Sequence, residues 1–422
     1  MTILTIYNHG TGGASSKDAA NGEIVNIFGN EAKKSGREFF DWMVTEGVGA
    51  KGSPHKQFVV PQLSVDTTTG ASRYDLMQYQ AKPGKARMDG YLESAGASWL
   101  ARKILPEDKA LEIAGIGADE NVVYVLSALR FLAKVNKLPT TINMMGWSRG
   151  GVTCIRIAHF LNLDPVLKNI PINIFAIDPV AGAGHDNEPE AHTIGDNVKN
   201  YVATLAVHEN RKGFTPMALT SDAAASLRFT GTTKYAILHM PGIHSDTAKF
   251  SSSSGKLTFH LCFQFLSRHG TDISQTLRGM FKMTPDSQLA EYDKLLLGAK
   301  PAGIKTSQNN FVARFITGRE RREVFNTTNG NGQFFVNAHH VVLFKQKYPV
   351  LWKKYFTAAA ASKGTLQWQQ MDNAAWGREI GSLGSGHLAS IGEQDKHVGV
   401  PQLPTYLRAG YQQCVELNQL AW

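Results

Sequence analysis

Residues 140–151 constrain the fold more than any other part of this sequence. A short apolar run leads there into the pattern Gly146-x-Ser148-x-Gly150, and an apolar stretch with helical spacing follows. This order predicts a β-strand, a sharp turn and an α-helix. The two glycines keep side chains out of a crowded turn in which Ser148 has a strained backbone. The alternative is a glycine-rich turn that carries an inert serine.

A serine between the end of a strand and the start of a helix is a candidate nucleophile. The dipole and the free N–H groups at the start of a helix favour developing negative charge. Acyl transfer by Ser148 also requires a base, a carboxylate that orients the base, and an oxyanion hole. In this kind of fold the acid and then the histidine follow the serine along the chain.

Asp178 is the candidate acid, because it stands directly after the apolar run of residues 172–177 and before a glycine-rich loop. A strand end is where an acid partner belongs. Asp186 and Asp196, in the loop that follows, are alternatives for the same role. Asp178 could also serve only to cap the loop.

His244 is the candidate base, since it follows the apolar run of residues 235–240 and a Pro-Gly turn. It should therefore reach the same sheet edge as Ser148, and Asp246 could anchor its loop. The alternative is a loop histidine without a catalytic role. Four other histidines compete for the position: His185, His208, His239 and His387.

An oxyanion hole is indicated after the first apolar run, where residues 8–13 read Asn-His-Gly-Thr-Gly-Gly. Small residues allow backbone N–H groups to approach an acyl oxygen. The predicted donors are the backbone N–H groups of Gly10 and Thr11, together with that of Arg149, which follows the nucleophile. The alternative is an anion-binding turn or simply a tight turn. The segment is not a Walker A loop, because it lacks the Gly-Lys-Ser/Thr ending.

Apolar runs alternate with helical patterns over the first 250 residues. The candidate strands are residues 3–7, 58–61, 141–145, 172–177, 201–207 and 235–240. A helix is predicted within residues 112–137, and the polar, glycine-rich stretches 13–52 and 65–90 are expected to be irregular insertions or lid segments. This alternation predicts the α/β class, with a mainly parallel sheet covered by helices.

The pattern changes after residue 255, so we predict a core of residues 1–255 and a largely helical C-terminal region of residues 256–422. Helices are expected at residues 257–267, 287–297 and 339–356. The second region is either an extension on the same core or a separate accessory or lid domain. Residues 341–356 mix aromatics with lysines, a pattern that suits a lipid interface or, as we prefer, a buried helix with lysine ends at the surface.

Composition excludes several classes of protein. With 19% charged and 42% hydrophobic residues the chain is globular. No apolar run is long enough for a membrane-spanning helix. The start of the chain lacks the features of a cleaved signal peptide, so we expect a cytoplasmic protein of the producing cell. If it is exported, we expect export without such a signal.

Three cysteines, Cys154, Cys262 and Cys414, predict reduced thiols rather than disulfides or a zinc site. The net charge of +9 does not by itself indicate a class of binding partner.

Four segments, residues 8–12, 146–151, 175–180 and 239–246, together resemble the bacterial type VI secretion lipase effector superfamily in order and rough spacing. Those proteins carry an opening Asp-Gly-Thr, an elbow Gly-Phe-Ser-Arg-Gly-Ala, a strand end Phe-Asp-Thr-Val, and a segment Pro-Gly-Val-His-Ser-Asp-Val-Gly-Gly. Residues 206–216 resemble their stretch Asp-Glu-x-Arg followed by Phe-x-Pro. The departures are His9 for the opening aspartate, Trp147 for phenylalanine, and Thr-Ala-Lys for the final Val-Gly-Gly.

The resemblance covers roughly residues 1–250 and implies an α/β-hydrolase fold with phospholipase or esterase activity carried by Ser148, Asp178 and His244. It further implies an antibacterial secreted effector with a lipid substrate, a membrane surface as its place of action, and an immunity or adaptor protein as partner. No cofactor, metal or nucleic acid is expected. Short-chain esterase or thioesterase activity, or a non-catalytic binding protein on a degenerate hydrolase fold, are the alternatives.

Overall fold

The computed structural model describes residues 2–13, 22–48, 62–65, 72–75, 118–182, 189–206, 209, 214–217, 227–230, 233–240, 242–280, 283–297 and 350. The strands are β1 (Ile3–Asn8), β2 (Trp42–Thr45), β3 (Gln62–Val65), β4 (Ser72–Asp75), β5 (Thr141–Trp147), β6 (Ile172–Ile177), β7 (Thr193–Ile194), β8 (Val198–Ala206), β9 (Arg228–Phe229) and β10 (Lys234–Met240). The helices are α1 (Ile24–Ser35), α2 (Ala118–Lys134), α3 (Arg149–Leu163), α4 (Pro189–His192), α5 (His244–Ala248), α6 (Ser253–Arg268), α7 (Gln275–Met280) and α8 (Pro285–Leu297).

A six-stranded sheet in the order β10-β8-β6-β5-β1-β2 is the centre of the fold. Every pair of neighbouring strands in it is parallel. The strands β3 and β4 form a separate antiparallel pair, and β7 and β9 a short parallel one. Because helices connect and flank the parallel strands, the predicted α/β class is confirmed.

The helices α2 and α3 pack on one face of the sheet. Apolar side chains at alternate strand positions meet apolar side chains of these two helices, as the twofold period of a strand requires. The buried residues on this face include Leu4, Ile6, Ile142, Met144, Ile172, Ile174, Val125, Leu129, Ile155 and Leu161. Since both faces are covered, the central strands are mostly apolar.

The helices α1 and α6 pack against the opposite face and against each other. Phe28 of α1 stacks on Phe259 of α6 with ring centroids 4.9 Å apart. Phe265 of α6 lies 5.7 Å from Phe175 of β6. The helix α6, which follows β10 and the short helix α5, is therefore part of the core.

The strand order reverses between β1 and β5. The chain passes from β1 outward to β2, then returns to β5 on the other side of β1 and continues outward through β6, β8 and β10. In a parallel sheet, the connections that follow two such strands diverge and leave a crevice at their carboxyl ends. The segments that follow β1 and β5 contain the predicted oxyanion loop and the predicted nucleophile Ser148.

A row of polar side chains, here called the amide row, crosses the amino-terminal half of the same sheet. Asn143, Asn173 and Asn200 stand opposite one another on β5, β6 and β8. Asn200 donates to Asn173 at 2.9 Å, and Asn173 donates to Asn143 at 2.9 Å. Asn143 in turn donates to Thr271, whose hydroxyl is 2.9 Å from that of Thr5. These bonds satisfy buried amides and fix the register of the strands.

The strands predicted around residues 3–7, 141–145, 172–177, 201–207 and 235–240 are all present. The expectation that residues 13–52 form an irregular insertion is wrong, because they contain α1 and the edge strand β2. Glycine-rich flanks and the four-residue length of β2 conceal both elements in the sequence. The strand predicted at residues 58–61 lies outside the described residues.

The predicted helices at residues 257–267 and 287–297 are present as α6 and α8. The predicted helix at residues 339–356 lies outside the described residues, apart from Val350. The helix α6 begins at Ser253 and packs on the sheet. The division of the chain into a core and a C-terminal region at residue 255 stays a prediction. Cys154 and Cys262 are buried free thiols whose pKa is raised by burial, and Cys414 lies outside the described residues.

Candidate active site

Ser148 is the one residue between β5 and α3. Its φ of 57° and ψ of −125° depart from the conformations that residues with side chains prefer. Its backbone N–H donates to the carbonyl of Ile177 at 2.9 Å, and its carbonyl accepts from Val180 at 3.3 Å. The strained backbone is thus held by the end of β6 and the loop that follows it.

The glycines on either side of Ser148 are required by close packing. A Cβ atom added to Gly146 would lie under 3.0 Å from the carbonyl oxygen of Gly150. One added to Gly150 would lie under 3.0 Å from the carbonyl oxygens of Asn8 and His9. The start of α3 therefore packs directly on the backbone that follows β1, and a side chain at Gly150 would separate the two.

Asp178 directly follows β6 and is fully buried. Its φ of 39° is the second positive value for a non-glycine residue at this edge of the sheet. One carboxylate oxygen, Oδ1, accepts from the backbone N–H of Ala206 at 2.9 Å. The other, Oδ2, is 2.5 Å from Nδ1 of His244. Both oxygens are bound, so the orientation of the carboxylate is fixed.

His244 begins α5 and is 4% exposed. An ionised carboxylate only accepts hydrogen bonds, so the bond to Asp178 places the hydrogen of a neutral imidazole on Nδ1. Nε2 then keeps its lone pair and is the nitrogen that can take a proton. This tautomer is the one that a general base requires.

Two aromatic rings border the imidazole of His244. The ring of Trp147 lies 5.3 Å from it at an interplanar angle of 31°, and Phe214 approaches edge-on at 5.1 Å. Trp147 is the residue directly before Ser148, so its ring contact brings His244 to the turn that carries the serine. Aromatic walls of this kind limit the access of water to the imidazole.

The loop after β1 lies against the same turn. A Cβ atom added to Gly10 would be 2.6 Å from the indole of Trp147. The hydroxyl of Thr11 accepts from the guanidinium of Arg149 at 3.4 Å. Gly10 and Thr11 thus neighbour the residues directly before and after Ser148.

Backbone bonds hold this loop in place. His9 donates to Thr45 at 3.1 Å, Gly12 to Val48 at 2.9 Å and Gly13 to Gly10 at 2.8 Å. Within the described part of the chain, the N–H groups of Gly10 and Thr11 make no backbone hydrogen bond. These two are the loop donors that the sequence predicts for an oxyanion hole, and the N–H of Arg149 lies in the first turn of α3.

None of the alternative acids and histidines is shown at the Asp178–His244 pair among the residues that the structure describes. Asp196 is exposed and precedes β8, at the sheet edge opposite to Ala206. Asp186 lies outside the described residues. The histidine His239 is within β10, and its side chain is not described. His185, His208 and His387 lie outside the described residues.

Glu209 is a residue at this site to which the sequence assigned no role. Its carboxylate accepts from the backbone N–H of His244 at 3.2 Å, and the residue is 1% exposed. The only sequence signal was its place in the stretch of residues 206–216 that resembles the effector superfamily. Because the carboxylate of Glu209 binds a backbone N–H, which nearly every residue type has, the sequence gives no pattern that would predict this contact.

Among the residues that the structure describes, no group of three or more His, Cys, Asp and Glu side chains is arranged to hold a metal ion. The same residues include no helix long and apolar enough to cross a membrane.

Comparison with known proteins gives structural neighbours only. No protein-family model matches the chain, and no curated protein matches it in sequence. One similar solved structure is an uncharacterized protein from Pseudomonas aeruginosa, with a TM-score of 0.39 and 13% identity over 100% of this chain and 66% of that one. Another is the Tle1 effector bound to the VgrG spike of the type 6 secretion system, with a TM-score of 0.21 and 11% identity. That match covers 58% of this chain and 50% of the neighbour, so the chain spans less than two thirds of either structure.

Proposed function

We propose that this chain is a serine hydrolase that cleaves carboxylic esters, with Ser148 as nucleophile, His244 as general base and Asp178 as the acid that orients it. The observation that carries the proposal is the buried Asp178–His244 pair, 2.5 Å apart, beside a serine held at a positive φ. Strained and buried polar groups that converge at one sheet edge are typical of catalytic sites.

In the first half of the reaction, His244 Nε2 takes the proton of the Ser148 hydroxyl as Oγ attacks the ester carbonyl. A bond forms between Oγ and the carbonyl carbon, and the carbonyl oxygen becomes an oxyanion. The N–H groups of Gly10, Thr11 and Arg149 donate to it. Loss of one such donor typically costs about 2.7–4 kcal/mol of transition-state stabilisation.

The intermediate collapses when the bond to the leaving alcohol breaks and His244 gives that alcohol its proton. Water then attacks the acyl-serine, again with His244 as base, and releases the carboxylic acid and the free Ser148. Asp178 stabilises the imidazolium that forms twice in this cycle. No cofactor enters either half-reaction.

The substrate class that we propose is the acyl ester of a phospholipid, on the support of the motifs shared with the type VI secretion lipase effectors. The same motifs support a role as an exported antibacterial effector that acts at a membrane surface and is paired with an immunity or adaptor protein. Release of the protein from export-competent cells, compared with cells that lack the secretion apparatus, tests the export. The effector role is abandoned if release is equal in both.

The experiment for the activity is labelling of the purified protein with a fluorescent fluorophosphonate, followed by hydrolysis of p-nitrophenyl esters of increasing chain length and of phospholipid vesicles. Ser148→Ala should lose the label and at least about 10⁴-fold in kcat. Ser254→Ala, at a buried serine of α6, is the matched control and should keep both.

Preference for vesicles over soluble short esters supports the phospholipase, and the reverse preference indicates a short-chain esterase. A folded wild-type protein that neither labels nor hydrolyses any ester overturns the proposal and favours the non-catalytic binding protein.

A further inference from the structure

Glu209 places a second buried carboxylate at the proposed catalytic histidine. It lies three residues after the end of β8 and is 1% exposed. Its Oε2 accepts a hydrogen bond from the backbone N–H of His244 at 3.2 Å, across 35 positions in the sequence. The bond therefore joins the segment after β8 to the turn that carries the imidazole.

The end of β8 also contacts the proposed acid. The backbone N–H of Ala206, the last residue of β8, donates to Asp178 Oδ1 at 2.9 Å. Ala206 and Glu209 are three residues apart in the chain. One short segment thus binds both members of the Asp178–His244 pair and sets where they meet.

Apart from the bond of its imidazole to Asp178 and the bond of its N–H to Glu209, the hydrogen bonds that the structure shows around His244 are local. Ile243 donates its backbone N–H to the Asp246 carboxylate at 2.9 Å, and the Thr247 hydroxyl donates to the His244 carbonyl at 2.9 Å. Such bonds preserve the shape of a five-residue helix. They do not determine its position relative to the sheet. The bond to Asp178 holds the imidazole, and the bond to Glu209 holds the backbone of the same residue.

Burial of a carboxylate carries a desolvation cost of several kcal/mol, which hydrogen bonds to the charged group only partly offset. A glutamine of the same length would accept the same bond without that cost for an ion.

We propose that Glu209 is a positioning residue for catalysis, which fixes His244 relative to Asp178 and Ser148 by accepting the backbone N–H of His244. This inference rests on the proposed function. Displacement of a catalytic group by about 1 Å can cost about 100-fold in rate. The bond that carries this role reaches the backbone N–H of His244 and not its imidazole, so the loss of Glu209 should act on kcat and leave KM little changed.

The test compares Glu209→Ala and Glu209→Gln with the wild type in kcat, KM and fluorophosphonate labelling rate. Glu209→Ala should lower kcat about 10- to 100-fold with KM nearly constant. Glu209→Gln keeps an acceptor oxygen at the same reach and should remain within about fivefold of the wild type. If Glu209→Ala does not fold, Glu209→Asp replaces it, because the shorter side chain cannot reach the N–H of His244.

Glu291→Ala is the matched control. Glu291 is 7% exposed and binds Lys256 at 3.0 Å and Lys294 at 2.9 Å, between α6 and α8. Its loss removes a buried carboxylate and its bonds far from the proposed catalytic group along the chain. Glu291→Ala should lower the urea midpoint and leave kcat unchanged.

The inference is overturned if Glu209→Ala keeps the wild-type kcat, or if Glu209→Gln loses as much as Glu209→Ala. A second readout does not depend on activity. The downfield proton resonance of His244 Nδ1–H, assigned by its loss in His244→Gln, should shift in Glu209→Ala and stay in place in Glu291→Ala. An unshifted resonance overturns the positioning role even if the wild type hydrolyses no ester. Failure of ester hydrolysis in the wild type, in contrast, bears on the proposed function alone.

Discussion

The carboxyl ends of β5 and β6 and the amide row both place polar side chains inside the protein, at opposite ends of the same strands. At the carboxyl ends, Ser148 and Asp178 have positive φ values of 57° and 39°. In the amide row, Asn143, Asn173 and Asn200 lie in regular parallel pairing, and each amide binds the next. Of these two regions, only the carboxyl ends contain non-glycine residues with a positive φ.

Buried polar side chains have different roles in the amide row and at the carboxyl ends of β5 and β6. Side-chain bonds in the amide row satisfy groups that would otherwise destabilise the core, and they favour one strand register. Ser148 and Asp178 at the carboxyl edge have costly backbone conformations, which suit the proposed catalytic role. Substitutions in the first region should therefore change stability, and those in the second should change activity.

The largest expected effect is that of Asp178→Asn. The amide cannot fix the base-competent tautomer of His244, so kcat should fall about 10⁴-fold. The urea midpoint should change little, because the side-chain volume is conserved. Steady-state kinetics with a p-nitrophenyl ester and urea unfolding followed by fluorescence provide the two readouts. A kcat within tenfold of the wild type would remove Asp178 from its role and reopen the choice of acid.

In the amide row, Asn173→Ala should destabilise the fold by about 2–4 kcal/mol, since it leaves the buried partners on Asn143 and Asn200 unsatisfied. At a temperature where the variant is folded, kcat should stay within about threefold of the wild type. Asn200→Ala, at the half-buried end of the row, is the control and should cost about 1 kcal/mol. Equal urea midpoints for the wild type and Asn173→Ala would show that the row does not stabilise the sheet.

Gly150→Ala should affect both properties, because its Cβ would clash with the backbone after β1. Overpacking of this kind costs about 1–3 kcal/mol and would also move the predicted oxyanion donors, so kcat should fall as well. Gly279→Ala is the control, since nothing lies within 4 Å of a Cβ at this position in α7. It should stabilise the protein by about 0.5–1 kcal/mol with kcat unchanged. A Gly150→Ala variant with wild-type kcat would contradict the close packing of α3 on the loop after β1.

The smallest effect concerns the pH dependence of stability in the helical layer. Burial lowers the pKa of His260 on α6 to about 4, and Gln288 on α8 donates to its Nε2 at 2.9 Å. A histidine whose folded pKa is depressed contributes stability above its unfolded pKa of about 6.5, and this is lost as the pH falls towards 4. We expect a loss of order 1–3 kcal/mol over this window.

His260→Gln is the variant that isolates this contribution, since His269 has a pKa lowered to about 4 for the same reason and titrates in the same window. The difference in unfolding free energy between the wild type and His260→Gln should shrink as the pH falls from 7 to 4. A difference that stays constant with pH would exclude His260 as its source.

Much of the sheet was predictable because its strands contain short apolar runs, and the runs in β6 and β10 are followed directly by aspartate or proline. The same logic nominated Ser148, Asp178 and His244, since the carboxyl ends of parallel strands meet at one edge. It failed for α1, where glycines precede an amphipathic helix, and for β2, where four residues carry too little periodicity. Local pattern is informative only over longer runs.

The remaining features depend on contacts between distant segments. The amide row exists because Asn143, Asn173 and Asn200 fall in register, and register is a property of strand pairing rather than of any one strand. Glu209 meets His244 through a backbone N–H, which every residue except proline offers. Neither relation leaves a trace in spacing or composition.

The position of β1 within the sheet has a consequence for how the chain folds during synthesis. β1 pairs with β2, which is made soon afterwards, but its other edge pairs with β5, which begins only at Thr141. Until β5 has left the ribosome, that edge of β1 presents unpaired backbone groups, a known hazard for aggregation. Parallel pairing across such long stretches of chain is also slow. We therefore expect the protein to be more sensitive to chaperone supply during its production than to heat once the sheet is closed.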